Sequence, residues 1–348
     1  MIMGVELAGR IAIAEKMRRR SQGFLPTSLA GSFGAVLTAA RLLRLSREQT
    51  VNALGINYAQ ISGSRQALLD ASLTKRIQPG FAARSALCSV ALAQVGLTGP
   101  RRVFEGDAGY FRDYMCGDIP PVEELLQPEK DYLVEYISTK CYPSCGACHP
   151  VQVAAERLRE DPAFDPNAIE RVETFNVAPL VSEPFVVSDH PQVNAQFSAA
   201  WGVAHTLLRG PARVSDYTDE AIRADRAVCE LAAAITPADE PEDLPPLPEE
   251  HPVLTRSPNR YRVRYQGVIV HLRDGRRLME CRAACQAFVP GPAEWPEIEQ
   301  KFRDCAAFAE LAGGQAEALF GRLRAFGVEE NVETQTEHPT RCHTGYTA

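Results

Sequence analysis

The stretch FAARSALCSVALAQV, residues 81–95, indicates how the first half of the chain folds. Alanine and other small apolar residues fill most of it, and such a segment favours a helix that can pack closely against its neighbours. Gly96 follows directly, and glycine is the residue that most often ends a helix. The stretch therefore predicts a closely packed helix.

The segments before this stretch also favour helices. Leu7, Ile11 and Ala14 share one face at helical spacing. Ser46 and Gln49 have the spacing of a capping box, in which the serine caps the helix and the glutamine side chain bonds back to the serine backbone. Because helix follows helix across short loops, we predict an all-α layer rather than a βαβ sheet.

The second half of the chain carries the strand patterns. Apolar and polar residues alternate at 169–177, and a second alternating segment covers residues 261–283. Within that segment Gly267 suggests a break, and Asp274-Gly275 is a typical hairpin turn. These patterns predict a strand followed later by a β-hairpin.

Helices and a loop complete the second half. Helical spacing is found at residues 194–208 and 219–234, and again at 297–325 with an interruption at Gly313. Residues 236–252 are rich in proline and glutamate and have no period, which predicts an exposed loop.

We predict a mainly α fold with an α+β insertion. The expected helical domain comprises residues 1–160 and 293–330, and the smaller α+β domain comprises residues 161–292. Residues 331–348 are polar, and we expect them to form a loose tail. The C-terminal helices should then return to the first domain.

The composition is that of an ordinary globular protein, with 45% hydrophobic and 23% charged residues among 348. The formal net charge of -7 argues against a nucleic-acid-binding protein, whose binding surface is basic. No apolar run reaches the roughly 18 residues of a membrane span, and the N-terminus has no signal-peptide pattern. We therefore expect a cytoplasmic protein in which most of the ten cysteines are free thiols.

An ordered series of short motifs extends along nearly the whole chain. In order, they are GFLPTS at 23–28, LTKRIQPGFAA at 73–83, KCYPSC at 140–145, AQFS at 195–198 and DG at 274–275. In this order the motifs resemble the MmgE/PrpD family, which includes 2-methylcitrate dehydratase, cis-aconitate decarboxylase and iminodisuccinate epimerase. The resemblance implies a multihelical domain, a small α+β lid domain with a cleft between the two, and a homodimer.

The resemblance also implies an activity. The expected protein is a 2-methylcitrate dehydratase-like lyase, which abstracts a proton and eliminates a group from a small di- or tricarboxylate without a cofactor or a metal. Decarboxylation or epimerisation of a related substrate is the alternative within the family. Such chemistry needs cations that hold carboxylates and an acid or base that moves a proton.

The matched motifs also identify candidate site residues. By the resemblance, Lys75 holds a substrate carboxylate or acts as an acid in a Lys-x-x-x-Pro-Gly loop. Gln78 stands where many members have histidine and would hydrogen-bond the substrate, while Lys140 and Cys145 match a segment that would bind it. His149 follows in the same loop, and it is the candidate general base because the unperturbed pKa of histidine lies near neutrality.

Each of these residues has a structural alternative. Residue type alone favours a solvent-facing Lys75, and only the resemblance favours a site role. His149 could instead cap or buttress the helix that is predicted to begin at Pro150, and Cys145 could be a small packed residue.

The sequence departs from the family's pattern at positions that handle protons. Leu25 stands where the family's motif has histidine, and Trp201 stands where members often have tyrosine. Leucine cannot transfer a proton, and indole only donates a hydrogen bond. We also expect the family's preceding motif, which contains Asp and His, to be absent from this sequence. A second hypothesis is therefore a catalytically impaired member with a structural or weak anion-binding role.

Three cysteines in one loop support a third hypothesis. Cys141, Cys145 and Cys148 have the spacing that radical-SAM enzymes use for a [4Fe–4S] cluster, and His149 could add a zinc ligand. Those enzymes place the loop after the first strand of a β/α barrel, whereas helices are predicted around it here. The family motif explains most of the loop without a metal.

Overall fold

The computed structural model describes residues 1–17, 23–115, 132–136, 139–140, 142–246, 265–283 and 295–325. Across these residues the fold is mainly α with one small sheet of four strands, which confirms the predicted fold class. None of the helices described is both long enough and apolar enough to cross a membrane.

The first region (residues 1–17 and 23–115) is a layer of helices. They are α1 (Ile2–Met17), α2 (Pro26–Leu42), α3 (Arg47–Tyr58), α4 (Gln66–Leu69), α5 (Thr74–Gln94) and α6 (Tyr110–Tyr114). The predicted capping box is confirmed at the start of α3. The Gln49 N–H donates to Ser46 Oγ at 3.1 Å, and the Ser46 N–H donates to Gln49 Oε1 at 3.0 Å.

Helix α5 begins earlier than predicted. It starts at Thr74 and includes Pro79, so Lys75 lies in the first helical turn and the loop predicted for it is wrong. Proline has no N–H, so Pro79 removes one helical hydrogen bond near Lys75 without ending the helix. Small residues form the buried face that packs against α2 and α3: Ser85, Ala86, Ser89, Val90 and Ala93.

The second region (residues 142–246 and 265–283) contains the sheet. Its strands are β1 (Ile169–Phe175), β2 (Thr236–Pro237), β3 (Tyr265–Leu272) and β4 (Arg277–Ala283), in the spatial order β2-β1-β3-β4. The β1–β3 and β3–β4 pairs are antiparallel, and β1–β2 is parallel. The predicted hairpin turn is confirmed, with Gly275 at a φ of +87° that favours glycine.

Two predictions about this sheet are wrong. Gly267 does not break β3, because it pairs with Phe175 on one side and Cys281 on the other. A Cβ at Gly267 would lie 2.3 Å from the Phe175 ring, so the glycine makes room for that ring. Residues 236–237, which were assigned to an exposed loop, pair with β1 instead.

Helices cover the sheet of the second region. They are α7 (His149–Glu160), α8 (Pro191–Gln196), α9 (Ala199–Arg209), α10 (Asp219–Ala224) and α11 (Arg226–Ala234). The single helices predicted at 194–208 and 219–234 are therefore each divided in two. The first break falls at Ser198, whose Oγ accepts the Trp201 N–H at 3.1 Å and so begins a new helix.

The C-terminal helices are α12 (Trp295–Phe308) and α13 (Gly313–Ala325). Two contacts of α12 are to residues outside the first region. Lys301 Nζ donates to the Lys140 carbonyl at 2.7 Å, and Arg213 lies 3.6 Å from Asp304. The division into two domains stays a prediction, and the predicted tail at 331–348 lies outside the described residues.

Candidate active site

The loop at residues 142–149 begins the second region and carries most of the matched family motif at 140–145. Gln196, at the end of α8, holds it on one side: the Cys145 N–H donates to the Gln196 carbonyl at 2.7 Å, and Gln196 Nε2 donates to the Pro143 carbonyl at 3.2 Å. From the first region, the Arg76 guanidinium donates to Gln196 Oε1 at 3.1 Å. One glutamine therefore ties the loop to α5.

Lys75 lies at the same junction. Its Nζ is 5.9 Å from the centroid of the Phe197 ring, and both side chains are half-buried. This geometry is a cation–π contact, in which the ring face attracts the ammonium. Phe197 directly follows the glutamine that binds Cys145, so the structure brings Lys75 and the half-buried Cys145 into one neighbourhood.

The Gln78 side chain lies inside the first region. Its side chain is buried, Nε2 donates to the Ser64 carbonyl at 3.0 Å, and Oε1 accepts from Ser28 Oγ at 3.5 Å. Both ends of the amide are thus used inside the protein, where one connects α5 to the start of α2 and the other connects it to the segment before α4. A substrate would have to replace these bonds, and the substrate-binding role of Gln78 stays a prediction.

Lys140 is exposed on the other side of the loop, and its Nζ donates to the Ser144 carbonyl at 3.2 Å. A buried polar network supports the loop from beneath. Ser144 Oγ donates to Gln152 Oε1 at 2.8 Å, and Gln152 Nε2 donates to the Tyr217 hydroxyl at 3.4 Å. Lys140 is therefore supported by a loop that is fixed to the core of the second region.

A groove of about 680 Å³ opens beside Lys140, between the loop, α7, the turn at 211–214 and α12. Its charged lining residues are Lys140, Glu156, Arg213, Lys301 and Asp304. Of the two carboxylates, Asp304 pairs with Arg213, whereas Glu156 accepts a hydrogen bond from the Tyr142 hydroxyl, which brings no positive charge. The three lining cations therefore exceed the two carboxylates by one. Among the residues that the structure describes, the ammonium groups of Lys140 and Lys301 bond only to backbone carbonyls. The groove therefore has positive charge available for an anion.

His149 begins α7 and lies beneath this groove. It is 2% exposed, and the Tyr142 ring packs edge-to-face against it at a centroid distance of 5.2 Å. The pKa of His149 is lowered to about 4, mainly by burial and secondly by the Lys140 ammonium, while hydrogen bonds with the backbone of Ser144 and Tyr142 act in the opposite direction. The imidazole is therefore neutral at neutral pH. Its burial favours the alternative in which it buttresses the loop.

The two departures from the family's pattern lie in different surroundings, with Leu25 half-buried and Trp201 fully buried. Leu25 precedes α2, and its backbone N–H donates to the Gly63 carbonyl at 2.8 Å. Trp201 is 1% exposed in the core of the second region, with its ring 4.6 Å from Tyr217 and 5.0 Å from His205. Neither side chain supplies a group that moves a proton.

Sequence reasoning missed Lys301, Arg213 and Arg76 as members of this site. Lys301 meets Lys140 across 161 residues, and Arg76 meets Gln196 across 120 residues. No local pattern in the sequence connects residues so far apart. Arg76 is exposed, but its guanidinium also holds the loop.

The three-cysteine hypothesis is tested only in part. Cys141 lies outside the described residues, whereas Cys145 and Cys148 are free thiols within them. Within the described part of the chain, no group of three or more His, Cys, Asp or Glu side chains could hold a metal ion. The cluster that includes Cys141 stays a prediction.

Two family models match this sequence. The model described as the MmgE/PrpD N-terminal domain matches residues 1–122, and the model described as the MmgE/PrpD C-terminal domain matches residues 142–317. Together they cover most of the chain, and the boundary between them falls just before the loop at 142–149.

Curated proteins are also similar to this chain, at about a quarter of identical residues over the aligned segments. The chain is 25% identical over 314 residues to a cis-aconitate decarboxylase of Homo sapiens, which covers 86% of this chain and 60% of that protein. It is 27% identical over 221 residues to a cis-aconitate decarboxylase-like protein, oryM, of Aspergillus oryzae, which covers 59% of this chain and 45% of that protein. The chain thus spans between 45% and 60% of the length of these relatives.

Proposed function

The chain belongs to the MmgE/PrpD family, and from that premise we propose that it is a lyase that acts on a small di- or tricarboxylate bound beside Lys140. Two of its relatives carry the words cis-aconitate decarboxylase in their names, so decarboxylation of cis-aconitate is the first reaction to test. Dehydration of a 2-methylcitrate-like substrate is the alternative within the same family.

One observation carries this proposal: two ammonium groups without a carboxylate partner among the described residues face one groove. A volume of about 680 Å³ lies within the usual range for small-molecule sites. A di- or tricarboxylate brings the opposite charge, and each of its carboxylates can accept a charge-assisted hydrogen bond from a lysine. The groove suits such a ligand better than a neutral or cationic one.

The proposed chemistry builds negative charge next to carboxylates. In a decarboxylation, the bond between carbon and one carboxylate breaks, carbon dioxide leaves, and the electron pair that stays on the substrate takes up a proton. In a dehydration, a base removes a proton from the carbon beside a carboxylate, and the neighbouring hydroxyl leaves as water after protonation. Fixed cations stabilise the charge that develops in either reaction.

We assign the roles as follows. Lys140, assisted by Lys301, holds a carboxylate in the groove. Lys75 lies beside Phe197 and does not line this groove, so its role as a carboxylate-binding residue or an acid stays a prediction from the family motif. Cys145 positions the loop through its backbone bond to Gln196. His149 buttresses the loop as a neutral imidazole, because a general base must reach the substrate proton and this ring is almost fully buried.

The test is turnover by the purified chain. Cis-aconitate, 2-methylcitrate and iminodisuccinate would each be incubated with the protein and followed by proton NMR, which detects loss of carbon dioxide, loss of water and epimerisation alike. We expect conversion of cis-aconitate that falls strongly in the Lys140→Met variant, because this lysine lines the groove. Binding and turnover of none of the three would refute the proposal.

A second candidate function is that of an impaired member that binds the anion without converting it. Leu25 and Trp201 favour it, because neither residue can move a proton from its position in the structure. The same experiment separates the two functions. Binding of cis-aconitate with no conversion supports the second candidate, whereas conversion excludes it.

A further inference from the structure

Cys145 and Cys148 stand at the two ends of a single tight turn. The Cys148 N–H donates to the Cys145 carbonyl at 2.9 Å. Such a bond between residues three apart keeps their Cα atoms within about 7 Å of each other, and disulfides span Cα distances of roughly 4.4–6.8 Å. The turn therefore holds the two cysteines at a separation that a disulfide can bridge.

The backbone conformation of this turn supports the same conclusion. Cys145 is extended, with φ -62° and ψ 134°, and the chain then enters a short 3₁₀ turn at Gly146–Cys148 that continues into α7. Gly146 and Ala147 are the two intervening residues, and neither has a long side chain that would keep the sulfur atoms apart. Two cysteines separated by two residues, Cys-x-x-Cys, form the motif of disulfide oxidoreductases.

The two sulfur atoms differ in access. Cys145 is half-buried at the loop, whereas Cys148 is fully buried in the core of the second region. Burial raises the pKa of the Cys148 thiol, the neighbouring Cys145 sulfur raises it further, and the Lys140 ammonium lowers it. The first attack on an external oxidant therefore falls to Cys145, and Cys148 can react only within the protein.

We propose that Cys145 and Cys148 form a reversible disulfide and that this turn is a redox modification site, a property independent of the proposed lyase activity. The oxidant is a small disulfide of the glutathione class. The Cys145 thiolate attacks one sulfur of that disulfide, forms a mixed disulfide and releases one small thiolate. The Cys148 thiolate then attacks the Cys145 sulfur and releases the second. Two protein thiols are oxidised to one disulfide, and one small disulfide is reduced to two thiols.

The experiment treats the full chain with oxidised glutathione, alkylates the remaining thiols and maps the peptides by mass spectrometry. We expect the peptide that contains residues 141–157 to lose two hydrogens, and to regain them after treatment with dithiothreitol. The Cys141→Ser variant must behave in the same way, because Cys141 lies in the same peptide. A loss of two hydrogens that disappears in Cys141→Ser would assign the bond to another pair and overturn the proposal.

Two further variants test the order of the steps. Cys148→Ala should accumulate glutathione on Cys145, because the second thiol is missing, and Cys145→Ser should form neither product at this turn. Cys88→Ser, at an exposed thiol of α5, is the matched control and should leave the disulfide unchanged. If Cys145 and Cys148 are both fully alkylated in the wild-type protein after treatment with oxidised glutathione, no disulfide has formed and the proposal is wrong.

Discussion

The first and second regions build their cores in different ways. In the first region, glycine and alanine let helices touch: a Cβ at Gly4 would lie 2.5 Å from the carbonyl oxygen of Gly34. Its helix α5 still exposes large apolar side chains, with Leu87 at 59% and Ile77 at 52%. In the second region, helices cover the sheet, and the core around Trp201 is almost completely buried.

This difference separates the candidate residues into two groups. Lys75 stands on α5, a helix with one open face, and touches the second region through Phe197. Cys145 and His149 belong to a loop that rests on the closed core of the second region. We therefore expect changes in the second region to cost stability, and changes on α5 to cost binding with little loss of stability.

The largest expected effect comes from removing a core side chain. Leu207 is fully buried in α9, so Leu207→Ala should lower the free energy of unfolding by about 2–5 kcal/mol through lost burial and an unfilled cavity. Leu87→Ala, at an exposed position of α5, should change it by less than about 0.5 kcal/mol. Urea denaturation measures both free energies of unfolding. Equal losses in the two variants would mean that the two regions do not differ in how their side chains contribute to stability.

The pH dependence of stability tests the burial of His149. Its pKa is about 4 in the folded chain and about 6.5 in an unfolded one. Between these values the unfolded chain binds a proton that the folded chain does not, so stability is complete above pH 6.5 and is lost as the pH falls towards 4. The loss is at most about 3 kcal/mol.

The control for this prediction is a variant without the buried imidazole. Denaturant midpoints between pH 7 and pH 4 should fall less steeply in His149→Gln than in the wild-type protein. His190→Gln, at an exposed histidine, should keep the wild-type slope. The same slope in all three proteins would mean that His149 is accessible to protons.

A pair of glycines gives a smaller and sharper contrast. A Cβ at Gly202 would lie 2.4 Å from Gln152 Nε2, inside the network that supports the loop, so Gly202→Ala should cost about 1–3 kcal/mol. At Gly31 in α2 nothing lies within 4 Å of the same position. Gly31→Ala should therefore be neutral or stabilise by up to about 1 kcal/mol. Thermal denaturation of the two variants shows whether their signs differ.

The smallest expected effect concerns the link between the regions. Arg76 is exposed, and its hydrogen bond to Gln196 spans the junction. Arg76→Met should lower the free energy of unfolding by less than about 1 kcal/mol, because an exposed hydrogen bond contributes little net stability. It should raise amide hydrogen exchange at Cys145, whose N–H donates to the Gln196 carbonyl. Unchanged exchange there would mean that Arg76 does not hold the loop.

Local features of the fold could be predicted from the sequence, and long-range ones could not. The capping box at Ser46 and the turn at Gly275 depend on a few adjacent residues, and both are confirmed. The start of α5 was missed because the small apolar stretch begins only at Phe81 and the family motif implied a loop before it, whereas the helix begins at Thr74 and continues through Pro79. The local sequence alone therefore did not predict where α5 begins.

The candidate site shows the same limit. Matched motifs could identify Lys140 and His149, but not the groove, since Lys301 reaches it from α12. Nor could the sequence show that His149 is buried, because Tyr142 contacts the imidazole only after the loop has folded against α7. Residue type predicted a group that titrates near neutrality, and burial changed that property.

The most direct test of the proposed function is calorimetric titration with cis-aconitate. Lys140→Met should weaken binding at least about tenfold, or about 1.4 kcal/mol, because one of the two groove ammonium groups without a carboxylate partner is removed. Arg226→Met, which removes an exposed cation on α11 away from the groove, should bind like the wild-type protein. Equal affinity of Lys140→Met and wild type would contradict the account.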